Sequence, residues 1–396
     1  MLRKLANLLE RDKAEFAQLI KNEMGKPIAE GLAEIDKCIS CANYYIEESA
    51  KALAPIEVTT EAKRSYISFE PIGTVLAIMP WNFPFWQAIR CAVPALSAGN
   101  AVLLKHASNV TGCALELERL FASATGRRDL FRTLILPGKE AVKLIARQEI
   151  AGVSLTGSTA VGREVAAAAG KAIKKCVLEL GGSDAYIVLA DADIEAAAKI
   201  CAQSRLLNAG QSCIAAKRFI VEKCIAEKFT EIFIAELQKR AIGPMARRDL
   251  RDELQRQVER TLKQGAKLLC GGKVPSGNGF HYPATALGGV RPGMVAFDEE
   301  LFGPVAAIIE AENEEEAIRF ANQSQFGLGA AIFTKDVAKA ERIARDELEA
   351  GSCFGNALVK SDPRLPFGGI KDSGFGRELA GFGIREFVNI KTVYIA

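Results

Sequence analysis

Apolar residues in the first fifty positions recur at helical spacing: Leu2, Leu5, Leu8 and Leu9, then Phe16, Leu19 and Ile20. Gly25 and Pro27 punctuate the end of this helical hairpin, and a second helix is predicted over about 29–50. With no strand before them, these helices make an abrupt start, so we expect a shortened N-terminus. From Gly73 the pattern changes to short runs rich in Val, Ile and Leu, at 73–79, 101–104, 133–136, 152–155 and 176–178, separated by helix-like stretches. Such continuous apolar runs predict a parallel sheet buried on both faces.

Each run is followed by polar, glycine or charged residues: Pro80-Trp-Asn-Phe-Pro84, Lys105, Pro137-Gly138, Thr156-Gly-Ser158 and Glu179-Leu-Gly-Gly182. They fall where the strands' carboxyl ends belong, the edge at which open α/β sheets bind ligands. A second αβ region is predicted from Ser183, with strands at 185–189 and 218–221 and helices at 194–208 and 226–239. Residues 271–283, rich in Gly, Pro and Ser, predict a long surface loop. Residues 63–70 and 387–395 alternate or concentrate β-formers and predict edge strands that pair with another subunit.

Composition narrows the function classes. A net charge of +3 over 396 residues gives no electrostatic case for nucleic acid or an anionic membrane. No apolar stretch approaches the roughly 20 residues of a membrane helix, and the charged, amphipathic start is not a secretory signal. Ten scattered cysteines suit a reducing cytoplasm better than a disulfide framework. Cys38 and Cys41 form a C-x-x-C without a second ligand pair, so buried structural thiols are expected there and no metal.

Cys213, closing Asn208-Ala-Gly-Gln-Ser-Cys213, is a thiol among small and polar residues, a setting for a nucleophile. Glu179, on a Gly-Gly turn, is a carboxylate able to swing and activate water. The two histidines, His106 and His281, are remote from Cys213 in sequence, which leaves a Cys-His pair little support. A thiol that is acylated and then freed by water is the chemistry this combination suggests. Gly157-Ser-Thr-Ala-Val-Gly162 reads either as a tight βα turn or as a helix start for a pyrophosphate. Lys105 at a strand end and Asn82 between prolines likewise admit structural readings: a snorkelling lysine and an Asx turn. As a functional group, Asn82 would donate to an oxyanion.

Taken in order, Pro80-Trp-Asn-Phe-Pro84, Leu104-Lys105, Thr156-Gly-Ser-Thr159, Glu179-Leu-Gly-Gly-Ser183, Gly210-Gln-Ser-Cys213, Glu299-Glu-Leu-Phe-Gly-Pro304 and Pro366-Phe-Gly-Gly-Ile-Lys-Asp-Ser-Gly-Phe-Gly-Arg377 resemble the aldehyde dehydrogenase superfamily over the whole chain. The chain looks most like the bacterial succinate-semialdehyde dehydrogenases. The resemblance implies Cys213 as nucleophile, Glu179 as the base that activates deacylating water, and Asn82 as oxyanion donor. It implies cofactor contacts from Ile78, Pro80, Trp81, Lys105, Ser108, Gly138, Gly157, Ser158, Leu180, Glu300 and Phe302. NAD-preferring relatives place a glutamate three residues after the lysine, where this chain has Ser108; the change favours NADP, with NAD possible, because a carboxylate would repel a 2′-phosphate.

For the substrate, a small aldehyde, Trp86 and Arg90 share one face of the helix after Pro84. Arg90 matches the position at which semialdehyde-oxidising relatives bind the distal carboxylate, and Ser361 would add a polar contact. A further arginine found in some relatives is replaced by Leu207, which weakens the match to succinate semialdehyde. The implied fold is an aldehyde-dehydrogenase-like α/β architecture of two parallel-sheet domains. The expected parts are a Rossmann-like cofactor domain (1–60, 73–181 and 362–384), a catalytic domain (182–361) and a small β oligomerisation element (61–72 and 385–396), assembled as a homodimer or homotetramer. A coenzyme-A-acylating aldehyde dehydrogenase is the nearest rival, opposed by the presence of Glu179; a catalytically silent scaffold is the remote one.

Overall fold

The computed structural model describes residues 1–277 and 279–396. Its first three helices, Leu2–Arg11, Lys13–Met24 and Ile28–Ala52, bury the predicted apolar face: Leu5, Leu9, Phe16 and Ile20 are almost wholly enclosed. Gly25 ends the second helix in the left-handed conformation, which glycine adopts without steric cost. Cys38 and Cys41 lie in the core as free thiols.

Two sheets carry the molecule. The first has six strands in the order Gly374–Phe375, Lys175–Glu179, Ile150–Thr156, Thr74–Met79, Ala101–His106 and Phe131–Thr133. All are parallel except Gly374–Phe375, which closes one edge antiparallel to Lys175–Glu179. The predicted strand at 133–136 is displaced: the ladder ends at Thr133, and Leu134 and Leu136 turn off to line the groove at that end. The second sheet has seven strands in the order Lys267–Cys270, Thr285–Gly288, Val305–Ala311, Arg218–Glu222, Ala185–Val188, Gly329–Phe333 and Ser352–Gly355, parallel except for the first.

Both sheets are covered by helices, which explains why their strands read as unbroken apolar runs rather than alternating ones. The third sheet is small and antiparallel: Ile56–Glu57, Arg64–Pro71 and Val388–Ile395. The two segments predicted as edge strands therefore pair with each other. Residue 278 of the predicted loop at 271–283 lies outside the described residues, and the remainder of that segment forms no helix or strand.

Candidate active site

The loop that carries Cys213 is held in an unusual backbone path. Helix Ile194–Leu206 stops where Asn208, Ala209 and Gly210 adopt φ of 53°, 52° and 73° in succession, so the predicted continuation to 208 fails. Left-handed φ at two residues with side chains is costly and needs compensation. The Asn208 amide donates to the backbone carbonyls of Asn82 and Gln211, at 2.8 and 3.2 Å, and its backbone N–H donates to Glu30 at 2.8 Å. At Gly210 a Cβ would stand 2.4 Å from the backbone of Gly303, so only glycine permits this approach. The buried Lys217 ammonium donates to the carbonyls of Ser212 and Cys213, at 2.9 and 2.6 Å, and lies 3.5 Å from Glu300.

Cys213 forms part of the wall of a cavity of about 240 Å³, together with Pro80, Trp81, Asn82, Gly157, Ser158, Leu180, Glu300 and Phe302. Cys213 is half-buried there. Burial pushes the thiol up to about 11, while Lys217 and Arg90 act in the opposite sense. Asn82 is anchored through one amide hydrogen, donated to the Gln211 carbonyl at 3.1 Å. A carboxamide has two such hydrogens, and the second makes no hydrogen bond among the described residues, while Asn82 and Cys213 line the same cavity.

Glu179 ends its strand, and Leu180 and Gly181 of the following turn line the cavity. That turn presses against the nucleophile loop, since a Cβ on Gly182 would meet the Cys213 carbonyl at 2.7 Å. The Glu179 side chain itself does not line the cavity. It is buried, and neither carboxyl oxygen has a hydrogen-bond partner among the described residues. Burial, with Glu378 nearby, holds its pKa well above the usual carboxylate range.

The edge predicted to hold a dinucleotide is formed by strand ends. Ser158 caps helix Thr159–Lys171, and the helix start opens onto the cavity at Gly157 and Ser158, a favourable position for an anion. Trp81 and Phe302 meet edge to face, 5.9 Å apart, and supply apolar wall. Ser108 lines a second groove with Thr133, Leu134 and Pro137. Lys105 sits near it, its ammonium 3.9 Å from a Cβ built on Gly138, and forms no ion pair among the described residues. This pattern fits a nicotinamide dinucleotide: apolar wall, helix N-terminus and an unpaired cation in sequence. Ile78, another of the expected cofactor contacts, is not among the residues that line the cavity and packs in the core with Leu76, Leu155 and Leu180.

Arg90, the expected carboxylate anchor, lies inside the protein. Arg90 is 2% exposed, and its guanidinium is ion-paired with Glu378, packed over Phe367 and 3.3 Å from Thr156. Glu378 offsets part of its charge inside the protein. Trp86 and Ser361 do come together, but through a residue the sequence reading did not single out: Lys37 donates to the Ser361 hydroxyl at 2.6 Å and stands 4.5 Å over the Trp86 ring. Its position was legible, because Glu34, Cys38, Cys41 and Tyr45 mark the buried face of that helix and Lys37 borders it. Lys217 and Glu378 also went unremarked; each is a charged residue beside a buried segment, which gives a weak signal.

Comparison with known proteins agrees with this geometry. The model of the aldehyde dehydrogenase family matches residues 1–393. The succinate semialdehyde dehydrogenase [NAD(P)+] Sad of Escherichia coli (strain K12) is 48% identical over 403 residues, covering 99% of this chain and 87% of that protein. A probable succinate-semialdehyde dehydrogenase [NADP(+)] of Synechocystis sp. (strain ATCC 27184 / PCC 6803 / Kazusa) is also 48% identical, over 100% of this chain and 89% of that protein. The succinic semialdehyde dehydrogenase of Streptococcus pyogenes, solved in complex with NADP+, superposes with a TM-score of 0.97 at 35% identity, covering 100% of this chain and 89% of its own. On fold, motif order and whole-chain similarity together, the chain belongs to the aldehyde dehydrogenase family.

Proposed function

We propose that this protein oxidises succinate semialdehyde to succinate with NADP+, NAD+ serving in its place less well, through a thioester on Cys213. The observation that carries the reading is the convergence of the Cys213 loop, the Asn82 amide and the Gly181-Gly182 turn on one cavity wall. The relatives named above, which bear this activity in their names, support the substrate and cofactor class.

In the first half-reaction the Cys213 sulfur, as thiolate, bonds to the aldehyde carbon while the carbonyl oxygen becomes an oxyanion. The free hydrogen of the Asn82 amide and the Cys213 backbone N–H hold that charge. A dinucleotide bound there would accept the hydride that the thiohemiacetal loses in becoming a thioester. Pro80, Trp81, Gly157, Ser158, Leu180, Glu300 and Phe302 would hold its nicotinamide and pyrophosphate portion, with Lys105, Ser108 and Gly138 toward the adenosine.

In the second half-reaction Glu179 swings from its buried pose beside the Gly-Gly turn and reaches water as the carboxylate. It takes a proton from that water, whose oxygen bonds to the acyl carbon as the carbon–sulfur bond breaks. The acid leaves and Cys213 is restored.

Ten free cysteines support a reducing cytoplasm as the compartment. The domain division given above is retained: 1–60, 73–181 and 362–384 for the cofactor, 182–361 for catalysis, with 61–72 and 385–396 building a homodimer or homotetramer. Purified protein supplied with succinate semialdehyde and NADP+, with and without coenzyme A, should yield free succinate in both cases. A thioester product would favour the acylating alternative, and full turnover by Cys213→Ala would end the covalent account.

A further inference from the structure

The carbonyls of the nucleophile loop are held, one after another, by side chains. Arg205 donates to Gly210 at 2.6 Å, Asn82 to Gln211 at 3.1 Å, and Lys217 to Ser212 and Cys213 at 2.9 and 2.6 Å. Of the three, only Lys217 holds two neighbouring peptides. It is fully buried and does not line the cofactor cavity, whereas Cys213 does. The lysine thus meets the loop from the protein interior.

A buried ammonium is costly unless its hydrogens find acceptors. Here three hydrogens face three acceptors: the two carbonyls and the Glu300 carboxylate, 3.5 Å away. The same Glu300 oxygen accepts from the Gly182 N–H at 3.0 Å, and Glu300 lines the cavity. One cation so ties the nucleophile loop to the Gly-Gly turn and the cavity wall. In a trans peptide the C=O and N–H point in opposite directions, and the Ser212–Cys213 peptide is trans. With its carbonyl drawn to Lys217, that peptide turns the Cys213 N–H away from the lysine. This N–H makes no hydrogen bond among the described residues, so it is available as a donor.

We infer that Lys217 is a positioning residue: by holding the Ser212 and Cys213 carbonyls, it keeps the Cys213 N–H aimed at the oxyanion that forms beside the sulfur. The inference rests on the thioester route proposed above and adds the group that fixes one of its oxyanion donors. Lying outside the cavity lining, Lys217 acts through the backbone and not on the substrate. The same cation also favours the Cys213 thiolate. The two effects are separable, because they belong to different reactions. Alkylation by iodoacetamide needs the thiolate and forms no oxyanion, whereas attack on an aldehyde needs the thiolate and the oxyanion donors together.

The test compares two rates at the same pH in the wild type and in Lys217→Met. One is alkylation of Cys213 by iodoacetamide, followed by mass spectrometry; the other is kcat/KM for succinate semialdehyde at saturating NADP+. Outright loss of an oxyanion donor lowers turnover roughly a hundred- to a thousandfold, so a donor left misaimed should lower it at least about tenfold. In Lys217→Met, kcat/KM should therefore fall at least about tenfold further than the alkylation rate does. Lys217→Gln gives the same comparison should the methionine variant not fold. Equal falls in the two rates overturn the assignment, since Lys217 would then act only through the charge on the sulfur or the stability of the loop. A deficit that closes as NADP+ is raised further also overturns it, by placing the effect on Glu300 and the dinucleotide. Wild-type protein that is alkylated at Cys213 yet oxidises no aldehyde sinks the thioester route itself, and that result is read before any variant is made.

Discussion

At the scale of single residues, the reactivity of Cys213 is set by opposing influences. Burial disfavours the thiolate and raises the thiol to about 11, against the pull of Lys217 and Arg90. Because the thiolate is the nucleophile, its fraction governs alkylation as well as catalysis. Below its pKa that fraction grows tenfold with each pH unit. In the ligand-free protein, alkylation of Cys213 by iodoacetamide, followed by mass spectrometry of its peptide, should therefore rise about tenfold per unit from pH 7 to 9 without a plateau. A plateau near pH 7 would mean that the two cations outweigh desolvation. The sequence singled out the thiol, the amide and the carboxylate as candidates, because each sits in a short motif. It did not show the ion pair of Arg90, since Glu378 comes from the far end of the chain and meets it only in the folded molecule.

Among elements, the nucleophile loop depends on two distinct restrictions at Gly210, a left-handed φ of 73° and a Cβ position 2.4 Å from the Gly303 backbone. Gly126 separates them, for it has the same φ of 73° with nothing within 4 Å of its would-be Cβ. Gly126→Ala should lower stability by about 1–2 kcal/mol, the cost of left-handed backbone, and leave turnover intact. Gly210→Ala adds the clash, which displaces Cys213 from Asn82; turnover should fall at least tenfold more than in Gly126→Ala, alongside a lower melting temperature. Equal turnover in the two variants would show that the loop tolerates the shift. The sequence could not separate these glycines, because what distinguishes them is the Glu299–Pro304 segment arriving from elsewhere. The long parallel strands were legible for the opposite reason: runs of Val, Ile and Leu reflect burial by the layers above and below. Gly374–Phe375, two residues long, has no periodicity to read, and its place at the sheet edge follows from its antiparallel pairing with Lys175–Glu179.

On the scale of the whole molecule, the third sheet is unfinished. Val388–Ile395 pairs with Arg64–Pro71 on one side, and its other edge has no strand among the described residues. Along it Ile390, Tyr394 and Ile395 are 58%, 48% and 52% exposed. Long edges with apolar side chains invite pairing with another chain, and a second copy of this protein, through the homo-oligomer proposed here, is the expected occupant. Neighbouring residues of a strand point their N–H groups to opposite sides, so prolines at Thr392 and Val393 separate the two edges. One substitution removes an N–H from the inner ladder with Arg64–Pro71 and should lower the melting temperature. The other removes only the outward N–H and should reduce the mass measured by light scattering while the subunit's own melting changes little. If wild-type protein is monomeric at micromolar concentration, or if neither proline alters the mass, the outer edge is not where copies join.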